Sequence, residues 1–375
     1  MKIAIMTQPL HTNYGGLLQA YALQKFIRNL GHDVLTVDLP FKSKKLKFQK
    51  QLVANIIRKF FLGKNVGRVI PTTKKEKKRI AENTNRFIKE NIVLTKTISS
   101  VKKLKELDEY NFDAFVVGSD QVWRPIYSPG IEEFFLSFLG DRKEVVRISY
   151  AASFGVDNVN EFSTEQIKSC SYHANKFDAI SVREISAIEL LSENFNCQKV
   201  DFVVDPTLLL TQSDYMALVK NDKFVTDNAG DMMVYILDKS HEKSKIINYM
   251  SKTLGLTPFT VLPDENTGVY PPVTQWLKGF MDAKFVVTDS FHGVIFSLIF
   301  NKQFIAIGNK NRGLARFKSI LGVLDLDDRL IDLSEYNIDE CFYGEIDFNE
   351  VNSKLSEYIL FSKQYLNKAL LGRIE

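Results

Sequence analysis

What most constrains this chain is a unit it repeats: a short apolar, β-branched run that ends abruptly in glycine, small or polar residues and passes into a helical pattern. Residues 284–300 show it most clearly. Phe285-Val286-Val287 reads as a strand buried on both faces, as in a parallel sheet. Thr288, Asp289 and Ser290 are helix-capping types, and the apolar run after them has almost no polar face, which predicts a helix buried on most sides. Such a unit places its turn at the carboxyl edge of a sheet, where open α/β sheets bind ligands. The free N–H groups and dipole of the helix start favour an anion there. His292 sits in the first turn of that helix. A packing or capping histidine explains an isolated Ser-Phe-His-Gly equally well, so other segments decide its role.

The unit recurs from the N-terminus. Residues 2–7 predict a buried strand, 8–14 a loop, and Gly15-Gly16 lead into a helix whose Ala20, Leu23, Ile27 and Leu30 share one face; Gly31 stops it and 34–37 is the next strand. The glycines stand where a Rossmann fold places phosphate, although the dinucleotide fingerprint GxGxxG is absent and a tight turn alone would also use them. Strands predicted at 112–117, 145–150, 177–182 and 201–204 run into Gly118-Ser119-Asp120-Gln121, Ala151-Ala152-Ser153-Phe154-Gly155, Arg183-Glu184 and Asp205-Pro206-Thr207. With the first strand, five in this half end alike. After a mixed, polar stretch at 211–230, a second series begins. It has strands at 232–237, 259–261, 285–287, 304–307 and 330–333, and helices at 241–253, 273–281 and 349–371. The loop Gly308-Asn309-Lys310-Asn311-Arg312-Gly313 sets two cations beside glycine at a strand end.

The chain is 375 residues, long for one core, which predicts two domains: 1–210, Rossmann-like, and 211–348, also Rossmann-like, with 349–375 a helix packing back toward the first. Residues 41–110 read as a basic helical insertion in the first domain. Within it, 41–79 hold 14 Lys or Arg against one acid, Glu76, so this segment is +13 in a chain of net +4 and the remainder is −9. Val53, Ile56, Ile57, Phe60 and Phe61 form an apolar stripe between the lysines. Two readings stand: a solvated insertion packed on its own domain, and a basic amphipathic helix lying on an anionic membrane surface. No nucleic-acid motif accompanies the charge, so no nucleic-acid partner is expected. Three cysteines without CxxC spacing suggest reduced thiols in a cytoplasmic protein, and the N-terminus enters a strand without a signal peptide's apolar core. There is no P-loop, no G-x-S-x-G elbow and no cluster with metal-ligand spacing, so no metal or cofactor is expected.

Asn13, Gly15, Gly16, Ser119, Asp120, Arg183, His292, Lys310 and Arg312 together offer loop N–H donors, cations and one imidazole, a set suited to a small, highly anionic ligand carrying phosphate or carboxylate. Taken singly, Arg183 fits a salt bridge, Lys310 and Arg312 fit solvated loop charges, and Asp289 fits a helix cap.

Asn13-Tyr14-Gly15-Gly16-Leu17-Leu18-Gln19, Gly118-Ser119-Asp120-Gln121-Val122-Trp123, Tyr150-Ala151-Ala152-Ser153-Phe154-Gly155, Ser181-Val182-Arg183-Glu184, Val204-Asp205-Pro206-Thr207 and Thr288-Asp289-Ser290-Phe291-His292-Gly293 follow one another in this order. The set resembles the polysaccharide pyruvyl transferase family, over about residues 3–313. The resemblance implies a GT-B-like fold, two Rossmann-like domains facing a central cleft. It implies transfer of the pyruvyl group of phosphoenolpyruvate, the donor substrate, onto a saccharide acceptor, lipid-linked or polymeric, as a cyclic ketal. Position by position, it makes Arg183 a phosphoenolpyruvate ligand and His292 the catalytic residue. Asp120 is the expected proton acceptor, with Asp289 as the alternative. Asn13, Tyr14, Gly15, Gly16, Gln19, Ser119, Ser153, Asp289, Ser290, Lys310 and Arg312 are the expected substrate-binding set.

The sequence departs from the family pattern at Ser290, where many members have arginine, and at Phe291, where they have leucine. One positive charge is thereby lost, and either Lys310 or Arg312 replaces it or the donor differs. The Gly15-Gly16 loop also lacks the acid that many members carry after their glycines. Two other functions remain open: a GT-B glycosyltransferase using a nucleotide sugar, and a non-enzymatic anionic-glycan binding protein. A lipid-linked acceptor would suit peripheral contact of residues 41–79 with the inner membrane face.

Overall fold

The computed structural model describes residues 1–40, 72–128, 130–308, 313–334 and 344–372. The first half is built on a sheet ordered β2-β1-β3-β4, from β1 (Lys2–Met6), β2 (Asp33–Thr36), β3 (Ala114–Val117) and β4 (Val146–Ser149). A short pair, β5 (Ser181–Val182) and β6 (Asp201–Phe202), continues it through bridges Ile148–Ala179 and Ala152–Val182. The second half is a sheet ordered β11-β10-β9-β7-β8, from β7 (Met232–Tyr235), β8 (Pro258–Phe259), β9 (Phe285–Thr288), β10 (Gln303–Ile307) and β11 (Leu330–Ile331). All these pairings are parallel, and β3 and β9 are buried at every residue, which is why their sequences are unbroken apolar runs.

The helices are α1 (Tyr14–Asn29), α2 (Lys74–Ile80), α3 (Glu82–Asn91), α4 (Thr164–Ala174), α5 (Ser186–Phe195), α6 (Gln212–Lys220), α7 (His241–Leu254), α8 (Val273–Asp282), α9 (Phe291–Ile299), α10 (Ala315–Gly322) and α11 (Phe348–Leu371). In each sheet the chain first builds outward on one side and then reverses, between β1 and β3 and between β7 and β9. Those reversals open crevices at the carboxyl ends of the strands.

Some local expectations change. Gly15 and Gly16 are not a turn ahead of a helix; they lie in the first turn of α1, because Asn13 caps it, its side-chain oxygen accepting from the Gly16 N–H at 3.2 Å. Within the helical insertion expected over 41–110, the helix is broken at Ala81 into α2 and α3, and Val101–Tyr110 is a 3₁₀ helix. The strands expected at 177–182 and 259–261 pair over only two residues each. Residues 41–71, which carry most of the basic segment and its apolar stripe, lie outside the described residues; α2, its end, buries none of its side chains.

One apolar core runs through both halves, joining Leu17 and Leu18 of α1 and Phe87 of α3 to Trp276 of α8 and Phe296 of α9. α3 adds polar ties. The Arg86 guanidinium donates to both oxygens of Asp222 at 3.0 and 2.8 Å, and the Asn83 side chain donates to the Tyr270 carbonyl at 2.7 Å. α11 crosses between the halves. Lys354 pairs with Asp325 at 2.6 Å, and farther along the Tyr365 hydroxyl donates to the Ser149 carbonyl at 3.0 Å. Cys170 and Cys197 are free and buried, and burial pushes both thiols up, Cys197 to about 11. Among the described residues no helix is long and apolar enough to cross a membrane.

Candidate active site

A cavity of about 290 Å³ lies where the loops after β1 and β3 meet those after β7 and β9, so both crevices open into one space. Asn13 and Asp120 line it from the first half, and Asp289, Ser290, His292 and Arg316 from the second. The turn that presents His292 is built by Thr288, whose hydroxyl donates to the Tyr235 carbonyl at 2.9 Å and accepts from the Ser290 N–H at 3.1 Å. Gly293 leaves room for that hydroxyl; a Cβ there would lie 2.2 Å from Thr288 Oγ1. Across the junction the imidazole rests on Gly15, where a Cβ would lie 2.1 Å from His292 Nδ1. Gly15 therefore serves close approach of the ring and not a phosphate-binding turn.

Behind the ring lies a charged cluster. Asp205 Oδ1 accepts from the Thr207 N–H (3.0 Å) and hydroxyl (2.7 Å), while Oδ2 accepts from Arg183 Nη1 at 2.7 Å. His292 Nε2, buried and without a hydrogen-bond partner, is 3.6 Å from the same Oδ2, an ion-pair distance but too long for a hydrogen bond. Arg183 also donates from Nη2 to Asp120 Oδ1 at 3.1 Å. Burial alone would raise the pKa of Asp205, but His292 and Arg183 outweigh it and hold the carboxyl well below the usual range. Asp120 is lowered in the same way, burial being outweighed by Arg183, His292 and Arg316. With Oδ1 held by Arg183 and its pKa lowered, Asp120 is a weaker base than a free carboxylate, which weighs against it as the expected proton acceptor.

Arg183 is not part of the cavity wall: its side chain is 1% exposed and clamped by the two aspartates. Ser153 is likewise engaged behind the wall, its hydroxyl donating to Glu184 Oε1 at 3.0 Å. Gln19 and Ser119 brace the β1 and β3 loops: Gln19 Nε2 donates to Thr7 Oγ1 and to the Gly16 carbonyl, both at 2.9 Å, and the Ser119 N–H donates to Gln19 Oε1 at 3.1 Å. Tyr14 is buried, its hydroxyl donating to the Pro271 carbonyl at 2.9 Å. Asp289 does not cap α9; Ser290 occupies that position. Asp289 instead holds the loop after β7, accepting from the Leu237 N–H at 2.7 Å, the Asp238 N–H at 3.1 Å and Lys243 Nζ at 2.6 Å. Lys310 and Arg312 lie outside the described residues.

Two site residues escaped the sequence reading. Asp205 had a signal, the Val-Asp-Pro-Thr segment at a strand end, but no cue that it faces a histidine 87 positions later. Arg316 had none. It lies in the first turn of α10, is 6% exposed, and its guanidinium is 5.3 Å from the centre of the Phe291 ring, over which Arg183 also lies at 4.8 Å. A second, larger cavity of about 940 Å³ adjoins the first, sharing Tyr235, Leu237 and Tyr270, and extends over the ends of β7 and β8 to Ser240 and Lys243 at the start of α7. Among the described residues no three His, Cys, Asp or Glu side chains are grouped to hold a metal ion.

A family model described as polysaccharide pyruvyl transferase matches residues 13–311. No curated protein matches the sequence significantly. Among solved structures, the chain is similar to one from Listeria monocytogenes assigned as a UDP-N-acetylglucosamine 2-epimerase, with TM-score 0.53, 8% identity, and coverage of 100% of this chain and 96% of that one. It is also similar to the glycotransferase of kitacinnamycin, with TM-score 0.50, 13% identity and coverage of 98% and 97%. A Staphylococcus aureus MnaA–UDP co-structure gives TM-score 0.50, 10% identity and coverage of 100% and 96%. At these identities the likeness shows the fold, the expected GT-B arrangement of two Rossmann-like halves.

Proposed function

The chain belongs to the polysaccharide pyruvyl transferase family and is a transferase; we propose that it moves the pyruvyl group of phosphoenolpyruvate onto two hydroxyls of a sugar, as a cyclic ketal, in a surface polysaccharide or its lipid-linked precursor. The observation that supports this most is the buried His292 imidazole in the wall of a small polar cavity, with the anion Asp205 at its back and a guanidinium and a helix start beside it. The cavity suits a three-carbon phosphate. A nucleotide sugar, the donor of the alternative glycosyltransferase reading, would have to extend into the larger groove.

In this reading the His292 imidazolium gives a proton to the methylene carbon of the donor, and Asp205, ionised beside it, balances the charge on the ring. The adjacent carbon becomes oxocarbenium-like and is attacked by a sugar hydroxyl, whose proton returns to His292. The second hydroxyl then displaces phosphate and its proton leaves with that group, so donor and diol give ketal and inorganic phosphate. The N–H groups and dipole at the start of α9 favour the donor's phosphate and its departure as an anion. The larger groove, with Tyr14, Tyr235 and Tyr270 in its walls, holds the acceptor.

The test is phosphate release from phosphoenolpyruvate in the presence of a pyruvylatable acceptor. His292→Gln should lower the rate by about 10²–10⁴-fold. A near-wild-type rate removes His292 from the chemistry. For the acceptor's lipid, the basic run at 41–79 suits an anionic membrane surface. Flotation with anionic vesicles should carry the protein upward and neutral vesicles should not; no flotation with either rejects the membrane contact.

A further inference from the structure

Arg183 and Arg316 lie over the same phenyl ring but stand differently to the cavity. Arg183 is locked to Asp205 and Asp120 and is absent from the cavity wall, whereas Arg316 forms part of that wall together with Ser290 and His292. We propose that Arg316 is the residue that binds the phosphate or carboxylate of the donor, and that Arg183 is a positioning residue that holds Asp120 and Asp205 around His292. This deepens the donor reading above and rests on it.

Three observations carry the assignment. The start of α9 bears Ser290, so that position brings no guanidinium to the cavity, and a guanidinium suits a polyanion because its fork matches two oxygens. Arg316 is also held at an electrostatic cost. Burial, and after it the neighbouring Arg183, brings its pKa down to about 10 although Asp120 and Glu184 oppose this, so an anion arriving in the cavity would favour the charged guanidinium. Finally, α10 is fixed against both halves. Gly313, at φ +82°, comes so close to the first half that a Cβ would lie 1.6 Å from the Gly155 carbonyl oxygen, and the Ile185 N–H donates to Ser319 Oγ at 2.9 Å. The guanidinium is thereby placed in advance relative to His292.

The experiment is calorimetric titration of the full chain with phosphoenolpyruvate and, separately, with inorganic phosphate, which tells a phosphate contact from a carboxylate one. Arg316→Leu should weaken phosphoenolpyruvate binding by about ten- to hundredfold, and Arg316→Lys by less. In the Arg316→Leu background, Ser290→Arg returns a guanidinium to the same wall and should recover affinity. Melting curves of the unliganded variants check only that each is folded; the assignment is read from the loss of affinity in Arg316→Leu and its recovery with Ser290→Arg. If wild type binds phosphoenolpyruvate and Arg316→Leu binds it equally well, the assignment is overturned while the donor reading stands. If wild type binds none, the donor reading falls and this assignment falls with it.

Discussion

At Gly15 the first half comes so close to His292 that the ring fills the space a side chain would need. Gly15→Ala should therefore push the imidazole off its position: turnover should fall steeply, with a stability loss of about 1–3 kcal/mol from overpacking. Gly16→Ala is the control, since the nearest neighbour of its Cβ would be the Asn13 side chain, at 3.2 Å, and the helix gains from alanine. Kinetics and thermal melts of the pair separate the two cases; equal effects would contradict the packing account. Asp205 makes a prediction about pH. Its folded pKa is lowered from 3.8, so its stabilising contribution is complete above that value and is lost as pH falls through the folded value. The melting-temperature gap between wild type and Asp205→Asn should be constant near neutrality and shrink below about pH 4. At this scale the sequence was half legible. His292 stood out because a histidine at a strand-to-helix turn is chemically conspicuous, whereas Arg316 and the Asp205–His292 contact depend on pairings between distant segments that leave no local mark. Gly15 was visible as a glycine that fits either a phosphate site or a plain tight turn, and neither is its use, because the ring that excludes a side chain comes from the other half.

The elements were the most readable level, since buried parallel strands announce themselves as apolar runs and their carboxyl ends as glycine and polar residues. What the runs did not disclose is how the inserted helices are used. α3 grips the second half through Arg86 and Asp222, 136 residues apart, and Asn83 holds the backbone at Tyr270, a residue of the cavity wall. Arg86→Met should cost about 1.5–3 kcal/mol in chemical denaturation, as for a charge-assisted bond. A cost near zero would mean that the Arg86–Asp222 pair adds nothing to the joining of the halves. The short two-residue strands were overestimated because apolar runs extend past the residues that pair.

For the whole molecule, the fold and the family were legible in the order of several weak motifs, while the reaction turns on a junction no single segment encodes. A continuous core closes the halves on each other and leaves a small polar space at the meeting of their crevices. The central claim is that this space is shaped for a three-carbon phosphate and not for a nucleotide. A thermal-shift comparison of phosphoenolpyruvate with UDP tests it most directly, because a ligand that binds only the folded state at 100 times its Kd adds about 2.7 kcal/mol of stability. The account predicts a rise in melting temperature with phosphoenolpyruvate that is smaller in Arg316→Leu, and none with UDP; a rise with UDP and none with phosphoenolpyruvate would contradict it.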